Sequence, residues 1–157
     1  MRTHLSNRLI HKIASDERNL ELTRHAKPRG LWYELDHEWE RWCEAEAFRT
    51  YNYRYIIEVD HTDMIVLSNQ AEMVAFTKKY GTTKYINSYN INWAKVSRDF
   101  KGIEIYPYIR ECRFNDITSW YYGWDVASGC VWHESAIIYL KHDEEYVPFE
   151  LKEYDYS

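Results

Sequence analysis

The chain has 157 residues and a formal net charge of −5, with acidic and basic residues spread along its length. This balance excludes a general polyanion-binding surface, and the length predicts a single domain over residues 1–157 whose core needs neither disulfides nor metal. Aromatic residues make up 17% of the sequence, roughly twice the share of an ordinary soluble domain, so we expect some of the rings to be partly exposed.

The first third of the chain predicts strand, helix, loop, strand and helix. Residues 1–6 form a short strand, and the apolar residues of NRLIHKIAS follow at helical spacing. The charged DERNLELTRHA predicts a loop. Pro28 and Gly30 then mark a turn before the aromatic run LWYEL, a second strand, and HEWERWCEAEAF returns to helical spacing.

The middle of the chain predicts two strands and two capped helices. YRYIIEVDHTDMIVLS is rich in β-branched and aromatic residues on both sides of a polar DHTD, which indicates two short strands or one bent strand. Asn69, with Glu72 three residues later, has the pattern of a capping box, and that helix ends at Gly81. Asn92 and Gly102 bound the next helix in the same way.

The last third of the chain is dominated by strands. GIEIYPYI, WYYGWDVASGCVW and ESAIIYLK each have the composition of strands joined by turns. Because the helices cluster in the first two thirds, the sequence predicts an α+β domain, as opposed to an alternating α/β one.

Three segments, taken in order, carry a resemblance to a known family. THLSN places His4 two residues before Ser6 in the first strand, KPRGLWYE leads into the second strand, and NWAKVSRDFKGIEI runs from a helix through a glycine turn into a strand with Glu104. This order resembles the small ADP-ribosyltransferases of the His-Tyr-Glu type. The resemblance implies an α+β fold with a split, strongly bent β-sheet and flanking helices.

The same resemblance implies a site that uses NAD as substrate. His4 would bind an NAD ribose with Ser6 nearby, Trp32 or Tyr33 would stack on nicotinamide, and Glu104 would be the catalytic carboxylate at the reacting ribose. The expected reaction transfers ADP-ribose to a protein, nucleic acid or small-molecule acceptor and releases nicotinamide. A fixed carboxylate stabilises the oxocarbenium-like charge that develops, and a histidine on a ribose hydroxyl fixes orientation.

Each of these residues also has a structural interpretation. Alternate residues of a strand face opposite sides of the sheet, so Glu104 would simply face solvent if one side of its strand is solvent-exposed. His4 would be a surface or structural histidine close to the chain terminus. By the same alternation, one of Trp32 and Tyr33 belongs to the core, which leaves only the other for a ligand.

Residues 120–132 have the most unusual composition in the chain, with five Trp and Tyr rings close to Gly and Ser. They predict either a substrate-recognition loop or a hairpin whose aromatic pairs stabilise the sheet. The first interpretation also supports an alternative function, a non-catalytic module that binds a nucleotide, a nucleic acid or a protein through this segment. The candidate recognition residues are Trp120, Tyr122, Trp124, Asp125 and Ser128.

The remaining signals concern cysteines, metal and targeting. Cys43, Cys112 and Cys130 are widely spaced and form no CxxC pair, so the sequence predicts no disulfide framework, no metal site and a cytoplasmic protein with reduced thiols. The N-terminus lacks the apolar region of a signal peptide, and no run approaches the ~18 apolar residues of a membrane span. We therefore expect no membrane partner.

Overall fold

The computed structural model describes residues 1–86 and 88–151. Within them the backbone forms nine strands and three α-helices, with short 3-10 turns between. The helices are α1 (Glu38–Ala45), α2 (Gln70–Tyr80) and α3 (Trp93–Asp99). The strands are β1 (Arg2–Ser6), β2 (Leu31–Leu35), β3 (Tyr53–Val59), β4 (Met64–Leu67), β5 (Gly81–Tyr85), β6 (Ser88–Ile91), β7 (Gly102–Ile105), β8 (Ser128–Val131) and β9 (Ile137–His142).

Seven of the described strands form one curled sheet in the order β4-β7-β8-β2-β1-β3-β9, while β5 and β6 form a separate hairpin. Strands β4 and β7 run parallel, and the other neighbours in the sheet are antiparallel. Helices and strands are thus combined without regular alternation, and the predicted α+β class is confirmed.

The sheet opens between β1 and β2. Among the described residues these strands share only two residue pairs, at Arg2 and Thr3 of β1. From His4 onward, β1 continues along β3, whereas β2 continues along β8. We call the opening that begins at His4 the fork. It divides the sheet into two halves that remain hydrogen-bonded at one end.

Local sequence signals account for two of the helices. The Asn69 side chain accepts a hydrogen bond from the N–H of Glu72, and the Asn92 side chain accepts one from the N–H of Lys95, so both predicted caps are confirmed. Helix α2 ends at Tyr80, and Gly81 follows as its C-cap, as predicted. Helix α3 ends at Asp99, and the glycine predicted to follow it begins β7 instead.

The helix predicted for NRLIHKIAS is wrong. The described backbone of residues 7–15 has no helical turn, Leu9 is exposed, and the N–H of Ile10 donates to the hydroxyl of Tyr55 at 2.7 Å. A helix this short needs a buried apolar face for its stability, and with Leu9 exposed no such face forms. The following charged stretch contains a short 3-10 turn at Arg18–Glu21.

Two apolar clusters form on opposite faces of the sheet. The larger packs α2, α3 and the aromatic segment against Ile103 and Ile105 of β7. The smaller contains Tyr33 of β2 and Val131 of β8 and fills the other face. In the part of the chain that the structure describes, the longest helix has 11 residues, and no helix has the length and apolar character that a membrane span requires.

Candidate functional site

A cleft of about 320 Å³ lies at the fork, over β1, β2 and β8. This volume is at the small end of the range for ligand-binding cavities, roughly 300 to 1,000 Å³. Its walls are largely aromatic, formed by Trp32, Trp39, Tyr51 and Trp124. A few polar groups converge between them, as is typical of a site that orients a small ligand.

His4 lies where β1 and β2 separate. Its Nδ1 contacts the main-chain carbonyl oxygen of Trp32, and because a carbonyl can only accept, Nδ1 carries the proton. Burial lowers the pKa of His4, and this hydrogen bond only partly opposes that effect. The ring is therefore neutral at pH 7, and its Nε2 is an acceptor. The structure brings His4 and Trp32, two of the predicted site residues, together at the cleft.

The two aromatic candidates on β2 have different surroundings. The Trp32 ring packs edge-on against Trp124 with centroids 4.9 Å apart, and the Lys27 ammonium lies 5.9 Å from its centroid. Tyr33 is buried in the smaller cluster. Both residues line the cleft, but Trp32 is only partly buried, so of the two alternatives that the sequence left open it offers more ring surface to a ligand.

Trp39 gives the cleft a second flat surface. It lies on α1 and stacks on Trp42, with the rings 5.0 Å apart and 7° from parallel. Phe48 packs edge-on against both indoles. The wall is therefore held by neighbouring rings before any ligand arrives.

Ser6 lies at the end of β1 and is not among the described residues that line the cleft. Its hydroxyl donates to the carbonyl oxygen of Arg8 at 2.7 Å and accepts from the N–H of the same residue at 3.0 Å. These two bonds form a local turn after the strand. In this structure Ser6 shapes the backbone beside the site and does not face the cleft.

Glu104 is buried on β7, on the face of the sheet that it shares with Tyr33. Its carboxylate accepts from Nε of Arg2 at 2.6 Å and from the hydroxyl of Tyr33 at 2.9 Å. Nη2 of Arg2 donates to the other carboxylate oxygen at 3.2 Å, and Nε2 of His61 donates to Oε1 at 3.1 Å. Burial raises the pKa of Glu104, but the hydrogen bonds from these three residues outweigh it and hold the pKa below its ordinary value. The carboxylate is ionised and enclosed, and it is not among the described residues lining the cleft.

The buried carboxyl that lines the cleft is Glu34, which the sequence analysis did not single out. The hydroxyl of Thr3 donates to Oε1 of Glu34 at 2.8 Å, and the N–H of Glu40 donates to Oε2 at 2.8 Å. Burial, reinforced by the nearby Glu40 carboxyl, raises the pKa of Glu34 to about 8. The signal was present in the sequence, since Glu34 stands two residues after Trp32 and so shares its face of the strand.

Glu34, His37 and Glu40 are close enough to offer three ligand atoms to a metal ion. Protein side chains already occupy these atoms, however. Nδ1 of His37 lies 2.7 Å from Oε2 of Glu40, and Nη1 of Arg54 donates to the other oxygen at 2.9 Å. Burial raises the pKa of Glu40, but these partners and Glu34 hold it below its ordinary value. The cluster is therefore an ion-pair network that keeps a negative charge beside Glu34.

The aromatic segment neither protrudes as a loop nor forms a hairpin. It forms a 3-10 turn at Ser119–Gly123 and then enters β8. Trp120 is in the larger core cluster, away from the cleft, where its Nε1 donates to the hydroxyl of Thr77 at 2.9 Å. The physical reason is the size of the indole, which buries more apolar area in the core than in an exposed turn.

The other recognition candidates divide between the cleft and the surface. Trp124, Asp125 and Ser128 line the cleft. Tyr122 is 57% exposed and lies on the surface. Three of the five residues predicted for recognition thus reach the cleft, because the chain passes along its rim between the 3-10 turn and β8.

The cleft combines flat aromatic walls, a neutral imidazole at His4, the Lys27 ammonium, and the carboxyl groups of Glu34 and Asp125. Burial lowers the pKa of Lys27, while the Asp125 charge opposes that shift. Such a site suits a ligand with a flat, positively charged ring, hydroxyl groups and an anionic extension. Comparison with protein-family models, with curated proteins and with solved structures finds no match for this chain.

Proposed function

We propose that the chain is an NAD-dependent ADP-ribosyltransferase whose cleft holds the nicotinamide riboside end of NAD. One observation carries the proposal: His4 of β1 and Trp32 of β2 meet at the fork and line the same aromatic cleft. The sequence resemblance assigns these two strands to the ribose and to nicotinamide. A sheet that opens between β1 and β2 is also compatible with the split sheet that the resemblance implies.

The cleft chemistry supports binding of this ligand. The nicotinamide ring of NAD is planar and cationic, and a cation over an indole face gains about 0.5 to 2 kcal/mol. Trp32 and Trp39 offer such faces. Nε2 of the neutral His4 accepts a hydrogen bond from a ribose hydroxyl, and the Lys27 ammonium is the cleft group suited to the pyrophosphate.

We assign the reaction to Glu34, the buried carboxyl that lines the cleft. The bond from ribose C1′ to nicotinamide breaks, and both electrons go to the pyridinium, so nicotinamide leaves neutral and requires no proton. The positive charge left on the ribose is stabilised by the ionised form of Glu34. A lone pair of the acceptor bonds to C1′, and the acceptor proton passes to the Glu34 carboxylate or to water. The bound pyridinium charge itself favours ionisation of Glu34.

In this scheme Glu104 acts on the structure of the fork. Arg2 belongs to β1 and Glu104 to β7, so their ion pair joins the two halves of the sheet. The Tyr33 hydroxyl adds a bond from β2. The network fixes the angle at which β1 and β2 separate, and hence the position of His4.

The test is NAD consumption by purified protein. We expect nicotinamide release, and transfer of label from NAD to acceptors in a lysate, with the unaltered chain. Glu34→Gln should lower the rate by about 10²- to 10³-fold, the effect of removing one group that stabilises transition-state charge, and leave NAD affinity within a few-fold. Glu104→Gln, which weakens the network that positions His4 but leaves Glu34 in place, should lower the rate per folded molecule by no more than a few-fold.

Two outcomes would count against this scheme. If the unaltered chain neither binds nor cleaves NAD, the proposed function is wrong. If Glu104→Gln stays folded and is inactive while Glu34→Gln remains active, the function stands and the catalytic carboxylate is Glu104, as the sequence resemblance implies. Circular dichroism of each variant supplies the folding control.

A further inference from the structure

Three exposed aromatic side chains lie near the cleft, one on the β5–β6 hairpin and two on the segment 110–123. Tyr85 ends β5, Phe114 follows the 3-10 turn at Arg110–Arg113, and Tyr122 lies in the 3-10 turn at Ser119–Gly123. Their exposed fractions are 69%, 71% and 57%, respectively. We call Tyr85, Phe114 and Tyr122 the aromatic platform. Leaving three large rings in water requires an explanation, because each could bury substantial apolar area.

A basic side chain lies over one face of each ring of the platform. The Arg113 guanidinium lies 5.6 Å from the Phe114 centroid and 4.9 Å from that of Tyr122. The Lys84 ammonium lies 5.7 Å from the Tyr85 centroid. The platform therefore presents flat apolar faces interspersed with positive charge.

The two segments of the platform are joined by a direct contact. Ser88 pairs with Tyr85 across the hairpin, and its hydroxyl lies 3.3 Å from the hydroxyl of Ser119. Ser119 begins the turn that carries Tyr122. The hairpin end that carries Tyr85 and the turn that carries Tyr122 are therefore neighbours in space.

The platform also borders the cleft. Nη2 of Arg113 lies 3.9 Å from Oδ1 of Asp125, which lines the cleft. Gly123, next to Tyr122 in the chain, has Cε of Lys27 3.7 Å from the position that its Cβ would take, and Lys27 is another lining residue. A molecule bound to the platform would therefore lie beside a ligand in the cleft.

We infer that the aromatic platform binds the bases of a short single-stranded nucleic acid, and that this strand is the acceptor of the ADP-ribosyl group. The second half of the inference rests on the proposed function. Alternating rings and cations match alternating bases and phosphates, and base stacking on aromatic side chains tolerates any sequence. The net charge of −5 opposes long polyanions, so a few nucleotides bind through stacking more than through charge.

Binding can be measured without NAD. The probe is a fluorescently labelled single-stranded oligonucleotide of about ten residues, as DNA and as RNA, followed by anisotropy. Loss of one stacking ring costs about 1 to 3 kcal/mol, so Tyr122→Ala and Phe114→Ala should each weaken binding about 5- to 160-fold. One phosphate contact each from Lys84 and Arg113 predicts a slope of about −1.4 when the logarithm of the affinity is plotted against the logarithm of the salt concentration. Tyr139→Ala, at an exposed ring on the edge strand β9, is the matched control and should have no effect.

Transfer is measured with labelled NAD and the same oligonucleotide. The unaltered chain should label the oligonucleotide. Tyr122→Ala should not label it but should still release nicotinamide, because water then acts as the acceptor and NAD is hydrolysed. If NAD is cleaved but the oligonucleotide is neither bound nor labelled, the inference is wrong and the proposed function stands. If the oligonucleotide binds in a manner that depends on Tyr122 but NAD is never cleaved, its acceptor role and the proposed function are both wrong.

Discussion

Tyr33 extends across Gly129 to hydrogen-bond Glu104. The three residues lie side by side on β2, β8 and β7, and the Tyr33 hydroxyl donates to Oε1 of Glu104 at 2.9 Å. A Cβ on Gly129 would lie 2.2 Å from Cζ of Tyr33. Glycine is required here by close packing, because only an absent side chain leaves room for the ring to pass.

Gly129→Ala should therefore destabilise the fold. The methyl group forces Tyr33 off its path and breaks its bond to Glu104, and overpacking of this kind costs about 1 to 3 kcal/mol in the free energy of unfolding. Urea denaturation measures the change. Gly123→Ala is the control, since the nearest atom to its Cβ position is Lys27 Cε at 3.7 Å, an ordinary contact. Equal stability of Gly129→Ala and the unaltered chain would contradict the packing.

Glu34 should make the protein less stable as pH rises. Its pKa is raised by burial and by Glu40, from 4.5 to about 8, so the stabilisation from its proton is complete below about pH 4.5 and is lost as pH rises through 8. Glu34→Gln keeps a neutral group there, and we expect it to be more stable than the unaltered chain at pH 8 by a few kcal/mol. The comparison is urea denaturation at pH 5 and pH 8.

The control for this pH dependence is Glu44→Gln, which alters an exposed carboxyl on the same helix as Glu40. It should leave the pH profile of the unaltered chain unchanged. A difference between Glu34→Gln and the unaltered chain that is the same at both pH values would argue against titration of Glu34.

The Arg2–Glu104 pair has the opposite pH dependence. The pKa of Glu104 is lowered, because its hydrogen bonds outweigh its burial, so its contribution is present above the ordinary carboxyl pKa and is lost as pH falls through the folded value. Arg2→Met leaves a buried carboxylate without its guanidinium. Because Arg2 is one-third exposed, we expect the substitution to lower the free energy of unfolding at pH 7 by about 2 kcal/mol. This loss is smaller than the usual cost of breaking a fully buried pair.

The loss in Arg2→Met should shrink when the same denaturation is repeated near pH 3. The control is Arg18→Met, which removes the ion pair between Asp16 and the mostly exposed Arg18. It should leave the free energy of unfolding unchanged both at pH 7 and near pH 3. A loss in Arg2→Met that does not depend on pH would indicate lost packing and not lost charge.

Lys27→Met should discriminate between ligands with and without phosphate. If the ammonium binds the pyrophosphate, a charge-assisted hydrogen bond worth about 1.5 to 3 kcal/mol is lost, and NAD affinity falls about 13- to 160-fold. Nicotinamide riboside, which lacks phosphate, should bind the variant and the unaltered chain alike. Calorimetric titration measures the affinity for both ligands. If the substitution weakens both affinities equally, Lys27 contacts a part of NAD other than the pyrophosphate.

The cysteine thiols should be unreactive in the folded protein. Cys43, Cys112 and Cys130 are all buried, and burial raises the pKa of each; for Cys43 it reaches about 11. A thiol reagent at pH 8 should therefore label the native chain slowly and the urea-unfolded chain at once. Rapid native labelling of any one cysteine would show that its surroundings open readily.

Local signals in the sequence were sufficient where the interaction is local. The caps at Asn69 and Asn92 need only residues three positions away, so the pattern alone predicts them. The pattern of NRLIHKIAS was also local but insufficient, because a short helix depends on a buried partner surface. The backbone of Ile10 instead bonds to Tyr55, a residue 45 positions away.

The site was harder to predict, because its electrostatics come from distant segments. Glu104 was expected to face either solvent or a ligand, and the structure gives a third arrangement, burial against Arg2, which lies 102 positions away. Glu34 was overlooked because a polar residue in an alternating strand usually faces water. Its burial follows from α1 folding back over β2, which places the Glu40 N–H on its carboxyl.

The stacked pair of Trp39 and Trp42 gives the cleft a built-in optical signal. Two nearly parallel indoles 5.0 Å apart couple their electronic transitions, and such coupling produces a paired band in the circular dichroism spectrum. Since Trp39 also lines the cleft, an aromatic ligand that stacks on this ring changes the band. Occupancy of the cleft can therefore be followed by ultraviolet spectroscopy on the unlabelled chain.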